Sequence, residues 1–207
     1  MIVQILISGF TQHRGYAHGW YQLREALLSQ GFSSGVGQRV WLETWQVSTR
    51  RLADSIQILT SLYGNVRIGI YGYSYGGGYG ALRLLRHLAK KKLGVEKLVM
   101  ADPVFRPSWL PRPLPSPLSL LPFDIQPKIR LPKNINDLIH FYQNVNVPQS
   151  PYLITAAVTG CVEHRELNVP HQMVDDHPEV HRAVLKFANE LRELSQQPST
   201  LKIFRAA

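Results

Sequence analysis

The stretch Val66-Arg-Ile-Gly-Ile-Tyr71-Gly72-Tyr-Ser74-Tyr-Gly76-Gly-Gly-Tyr-Gly80 decides how the sequence is read. The apolar run Val66–Tyr71 predicts a strand, and Tyr79–Leu93 predicts a helix with Leu82, Leu85 and Leu88 on one face before Gly94. Between them stands G-x-S-x-G, with Gly72, Ser74 and Gly76 at the fixed positions, in the strand-to-helix setting of a nucleophile elbow. A serine at the tip of so tight a turn sits in strained backbone, and a Cβ at Gly72 or Gly76 would collide with the neighbouring chain. The turn lifts the Ser74 hydroxyl to a helix N-terminus, where the Tyr75 N–H can face an oxyanion.

Outward from this stretch, strands and helices alternate. Strands are predicted at Ile2–Ile7, Arg39–Trp45, Lys97–Ala101, Tyr152–Val158 and, more weakly, Val162–Leu167. Helical faces are formed by Trp20, Leu23, Leu27 and Leu28, and by Leu52, Ile56, Leu59 and Leu62 up to Tyr63-Gly64. A last helix carries Val180, Val184, Phe187 and Leu191, with Asp176 as N-cap and Glu179 completing a capping box. Such alternation predicts an α/β fold: a mostly parallel, doubly wound sheet with helices on both faces. Residues 1–207 are expected to form one domain. Within it, Pro103–Pro132 holds nine of the 14 prolines, interleaved with Trp109, Leu110, Leu114, Leu118, Leu120, Leu121 and Phe123. Proline cannot serve sheet or helix interiors, so residues 103–133 read as an irregular, apolar cover over a site.

Composition narrows the function. The 207 residues are 44% hydrophobic and 18% charged, which excludes a disordered or fibrous chain. The one cysteine, Cys161, offers no internal disulfide, and no apolar run approaches the ~20 residues of a membrane span. Ile2–Ile7 lacks the basic flank and cleavage site of a signal peptide, so a cytoplasmic protein is expected. The net charge of +9 favours anionic partners, including weak association with an anionic membrane surface. No helix-turn-helix, RNP or Cys/His-finger pattern accompanies it, and nucleic acid is not an expected partner.

A rival reading of the glycines is a nucleotide loop, since Gly72, Gly76 and Gly78 also fit G-x-x-x-G-x-G with Asp102 as the ribose acid. The motif follows the third strand rather than the first, and no Tyr in the chain has a Lys four residues later. Serine hydrolysis is therefore preferred. A serine nucleophile needs a base, and the base needs an orienting acid, in the chain order Ser, Asp or Glu, His. Asp102, directly after Lys97–Ala101, is the leading acid, with Asp124 as fallback. For the base the order leaves His164, His171, His177 and His181. His171 is chosen because it lies in the loop Asn168-Val-Pro-His171 before the closing helix, whence an imidazole reaches the sheet edge. His177 and His181, at i and i+4 beside Asp175 and Asp176, have zinc spacing, but exposed helix histidines explain them equally and no metal is expected. The second oxyanion donor is placed in Ile7-Ser-Gly9-Phe10-Thr11, at the Phe10 N–H.

Strand-Gly72-Tyr-Ser74-Tyr-Gly76-helix, then strand-Asp102-Pro103, then Asn168-Val-Pro-His171, resembles the α/β-hydrolase superfamily, most nearly its small lipase, esterase and cutinase-like members. The resemblance spans nearly the whole chain. It implies a cofactor-free acyl-enzyme mechanism on carboxylic esters, with Ser74, His171 and Asp102 as the triad and the Phe10 and Tyr75 amides on the oxyanion. The chain departs from larger lipases in lacking an extended His-Gly-Gly-Gly motif. The expected substrate is a small ester with an apolar acyl group. Thioester or amide cleavage, or a silent binding protein of hydrolase shape, are the alternatives.

Overall fold

The computed structural model describes residues 1–10, 12, 18–32, 37–105, 129–146, 148, 150, 153–155 and 157–196. Most of the expected cover at 103–133, and with it Asp124, lies outside these residues. The described chain runs β1 (Ile2–Ser8), α1 (Gly19–Ser29), β2 (Gln38–Thr44), α2 (Thr49–Tyr63), β3 (Arg67–Tyr73), α3 (Leu82–Lys90), β4 (Val95–Ala101), β5 (Ile129–Arg130), β6 (Ile135–Tyr142), β7 (Leu153–Ile154), β8 (Val162–Glu166) and α4 (Pro178–Gln196). Six strands form an all-parallel sheet in the order β2-β1-β3-β4-β6-β8, and β5 pairs with β7 in a separate ribbon.

The sheet is covered on both faces, as its apolar runs require. On one face Val3, Ile5 and Ile7 pack with Leu52, Ala53 and Ile56 of α2 and with Leu82, Leu85 and Leu88 of α3. On the other, Leu6, Tyr71 and Val99 meet Trp20, Leu23 and Leu27 of α1 and Val180, Val184 and Phe187 of α4. The strand order reverses between β1 and β3, the place where an open parallel sheet offers a crevice beyond its strand ends. Both β1 and β3 run out into that crevice.

Several expectations are corrected. The strand expected at Tyr152–Val158 is only Leu153–Ile154 and lies outside the main sheet. The strand beside β4 is β6, which the sequence reading did not predict and whose Asn136 and Asp137 hide the strand pattern. Asp137 is accommodated by tertiary contact, since Lys97 Nζ on β4 donates to its Oδ2 at 2.6 Å. Leu62 does not join the buried face of α2 and is 70% exposed. Asp176 does not cap α4. The helix begins at Pro178, and His177 Nδ1 accepts the Glu179 N–H at 3.3 Å. The glycine run after Ser74 opens its helix as a wider π-helical turn, Gly76–Ala81.

That turn sits hard against β1. A Cβ at Gly76 would lie 2.0 Å from the Ile7 carbonyl oxygen, and one at Gly72 would lie 2.7 Å from the Gly77 Cα. Backbone on both sides leaves nothing to yield. Gly76→Ala should therefore cost about 3 kcal/mol or more of stability. Gly64→Ala, at φ 73° with open space around it, should cost only about 1–2 kcal/mol of backbone strain. Urea unfolding of the two variants side by side checks the difference.

Candidate active site

Three strand ends and one loop build the site. At the end of β3, Ser74 holds φ 52°, the left-handed conformation that a non-glycine residue adopts only where its surroundings enforce it. Its N–H donates to the Ala101 carbonyl at 3.0 Å, and its carbonyl accepts from the N–H groups of Gly77, Gly78 and Val104 at 3.1, 2.9 and 2.9 Å. One strand over, at the end of β4, Asp102 is likewise left-handed at φ 41°, and its N–H donates to Phe141 of β6 at 2.8 Å. Its side chain is wholly buried. His171 arrives from the loop after β8, in the short 3₁₀ turn His171–Met173.

These residues, 97 and 69 positions apart in sequence, converge. His171 Nε2 lies 2.9 Å from Ser74 Oγ, and His171 Nδ1 lies 2.5 Å from Asp102 Oδ2. With an Asp carboxylate accepting, Nδ1 carries the proton and Nε2 is free to accept from the serine hydroxyl. Asp102 Oδ1 is buried without a hydrogen-bond partner among the described residues, so the carboxylate's polar contact falls on the imidazole. The loop after β1 closes the group from the other side. A Cβ at Gly9 would stand 3.1 Å from the Ser74 Cβ, which puts Gly9-Phe10 against the serine, while Tyr75 begins the helix directly after it.

Further residues hold the imidazole, and sequence reading passed over them. The Tyr73 hydroxyl donates to the His171 carbonyl at 2.8 Å, and its ring stacks on the imidazole at a centroid distance of 5.2 Å. Burial, then the charges of Asp175 and Asp102, push the Tyr73 phenol up, so it stays a donor. Asn146 Oδ1 accepts the His171 N–H at 2.8 Å. Below the Asp102 turn, Ser150 Oγ lies 3.4 Å from the Pro103 carbonyl and 3.1 Å from His140 Nε2. Burial, then the His164 beside it, lowers His140 to about 3 and keeps it neutral. Tyr73 had one signal in the sequence, its place next to Ser74; Asn146, Ser150 and His140 had none.

The remaining histidines of the sequence reading lie elsewhere. His164 sits on β8 against His140, with the Nδ1 atoms 3.1 Å apart. His177 serves the α4 N-terminus, and His181 Nε2 donates to the Asp175 carbonyl at 2.7 Å. Among the described residues no three His, Cys, Asp or Glu side chains are grouped to hold a metal ion.

No protein-family model and no curated protein matches the chain with significance. Among solved structures, the product of the gene lin2722 from Listeria innocua aligns over 96% of each chain, at 11% identity and a TM-score of 0.54. The thioesterase domain SrfTE, which cyclizes the lipopeptide antibiotic surfactin, aligns over 96% of this chain and 93% of its own, at 12% identity and a TM-score of 0.50. The chain has the α/β-hydrolase fold. Within that fold the Ser74 turn follows the strand beside the crossover point, Asp102 follows the next strand, and the loop with His171 returns from the far edge. No helix among the described residues is long and apolar enough to cross a membrane.

One titrating group near the site has a consequence for stability. Asp175 is raised to about 6, chiefly by burial and then by the charge of Asp176. The folded chain thus holds a proton that the unfolded chain has released above its ordinary carboxylate range. Stability contributed by this residue is greatest below about pH 4 and falls as pH rises to about 6. Asp175→Asn should therefore gain about 3 kcal/mol relative to wild type between pH 4 and pH 8, read as the change in the gap between their unfolding free energies.

Proposed function

We propose that the chain is a serine hydrolase that cleaves carboxylic esters through an acyl-enzyme on Ser74. The observation that carries this reading is the unbroken line from Ser74 Oγ to His171 Nε2 and from His171 Nδ1 to Asp102. Ser74 Oγ attacks the ester carbonyl while its proton passes to His171 Nε2. The imidazolium so formed is stabilised by the buried Asp102 carboxylate, and the Phe10 and Tyr75 amides take the oxyanion. His171 then gives the proton to the departing alkoxide, and the C–O bond breaks to leave Ser74 acylated. Water repeats the sequence, with His171 accepting its proton and returning one to Ser74 as the acid departs. None of these steps calls for a cofactor.

An aromatic wall beside the serine supports an apolar acyl group. Phe10, 38% exposed, packs on Trp45 and Tyr75 at centroid distances of 5.6 and 5.7 Å, and Trp45 meets Tyr75 at 5.5 Å. Thioesters react by the same steps, and one structure of this fold is a thioesterase domain, so thioester cleavage is the second reading. The charge of +9 supports weak attraction to an anionic membrane surface.

Ser74→Ala should abolish turnover of p-nitrophenyl esters and labelling by a fluorophosphonate probe, with the thermal melt unchanged. Asp102→Asn should lower kcat by about 10⁴ through the wrong imidazole tautomer. Absence of labelling in folded wild-type protein would leave a silent, hydrolase-shaped binding protein instead. Matched oxygen and sulfur esters of one acyl group, compared by kcat/KM, separate the two enzymatic readings.

A further inference from the structure

Two loops on opposite sides of the serine are tied together by one side chain. Gln12, two residues after Phe10, accepts the Gly9 N–H on its Oε1 at 2.9 Å, and its own N–H donates to the Gly9 carbonyl at 3.4 Å. Its carbonyl accepts from Ser8 Oγ at 3.2 Å. At the other end, Gln12 Nε2 donates to Asp175 Oδ2. Asp175 stands four residues after His171, and the same oxygen accepts the Gly19 N–H at the start of α1, at 3.1 Å. The approach is close: a Cβ at Gly19 would lie 2.1 Å from the Asp175 carbonyl oxygen.

The chemistry of the Gly9–Phe10 peptide makes this bridge more than packing. A peptide group is planar, so fixing its carbonyl fixes the direction of the N–H on its other side. The Gly9 carbonyl is held by the Gln12 N–H, and the N–H it orients is that of Phe10. Gln12 holds the preceding peptide too, through the Gly9 N–H. The bridge then refers both peptides to the loop that carries His171.

We propose that the Gln12–Asp175 bridge is a positioning device that aims the Phe10 N–H at the oxyanion formed on Ser74. The proposal rests on the serine-hydrolase reading above. Loss of the bridge acts on the transition state rather than on substrate binding, because the oxyanion exists only there.

The test measures p-nitrophenyl ester turnover in wild type, Gln12→Ala, Asp175→Ala, the double variant and Asp175→Asn, each with a thermal melt. Fluorophosphonate labelling of wild-type Ser74 runs beside it. Gln12→Ala should lower kcat about 10- to 100-fold, with KM changed by less than about twofold. The double variant should lose little more than either single one, as expected for two ends of one bridge. Asp175→Asn retains an acceptor oxygen for Gln12 and Gly19, and its kcat should stay close to wild type. An unchanged kcat in Gln12→Ala, a loss confined to KM, or losses that multiply in the double variant would overturn the proposal. If Asp175→Ala does not fold, Gln12→Ala and Asp175→Asn decide it alone. Failure of wild-type Ser74 to label overturns the hydrolase reading and the bridge with it. Labelling together with an unimpaired Gln12→Ala overturns the bridge only.

Discussion

Two adjacent strand ends in left-handed backbone, at Ser74 and Asp102, are laced to each other, and the site depends on that lacing. Ser74 donates to the Ala101 carbonyl and accepts from the Val104 N–H, so each turn holds its neighbour in a conformation neither would keep alone. Left-handed residues other than glycine cost roughly 1–2 kcal/mol each. The surrounding structure meets that cost by rigid means. The π-helical turn abuts the β1 backbone at Gly76, and Phe141 of β6 clamps the Asp102 N–H. With both turns fixed, the serine hydroxyl and the carboxylate face the same point from adjoining strands. A single loop can then bring the imidazole between them.

The imidazole itself is held at several points. Tyr73 covers its face and takes its carbonyl, Asn146 takes its N–H, and Asp102 takes Nδ1. Nε2 is left for Ser74. Such a ring has little freedom to turn, and a preset orientation is what proton transfer in either direction needs. Burial strengthens each of these contacts by lowering the local dielectric.

Much of this was legible in the sequence, for identifiable reasons. Gly72, Ser74 and Gly76 could be read because a steric requirement leaves a fixed local spacing. Asp102 and His171 could be picked out as neighbours of Ser74 because a parallel sheet gathers polar groups at one edge of its strand ends, and the structure brings both to that serine. The strand β6 escaped, since Asn136 and Asp137 break its apolar pattern, and Lys97 on another strand and the Cys161 N–H make the Asp137 position tolerable. The N-cap of α4 was misplaced by one residue, because His177 offers an imidazole acceptor where a carboxylate was expected. Gln12, Asn146 and Asp175 were invisible as partners because their roles arise only from chain segments far apart in sequence. Local pattern marks the residues that a turn requires, and tertiary contact selects those that hold it.

The pairing of Asp102 with Phe141 also bears on the order of assembly. The segments that shape the serine turn, β1, β3, the glycine-rich helix after it and the Ala101–Val104 contacts at the end of β4, all lie in about the first half of the chain. The carboxylate turn must wait for β6, which reaches β4 only after the long stretch between Ala101 and Ile135 has been spanned, and closing such a loop is entropically slow. The segments that shape Ser74 thus precede in the chain the strand that anchors Asp102. A chain that ends before β6 lacks the anchor of Asp102, and one that ends before the loop after β8 lacks His171, so the three side chains meet only with the last strands in place.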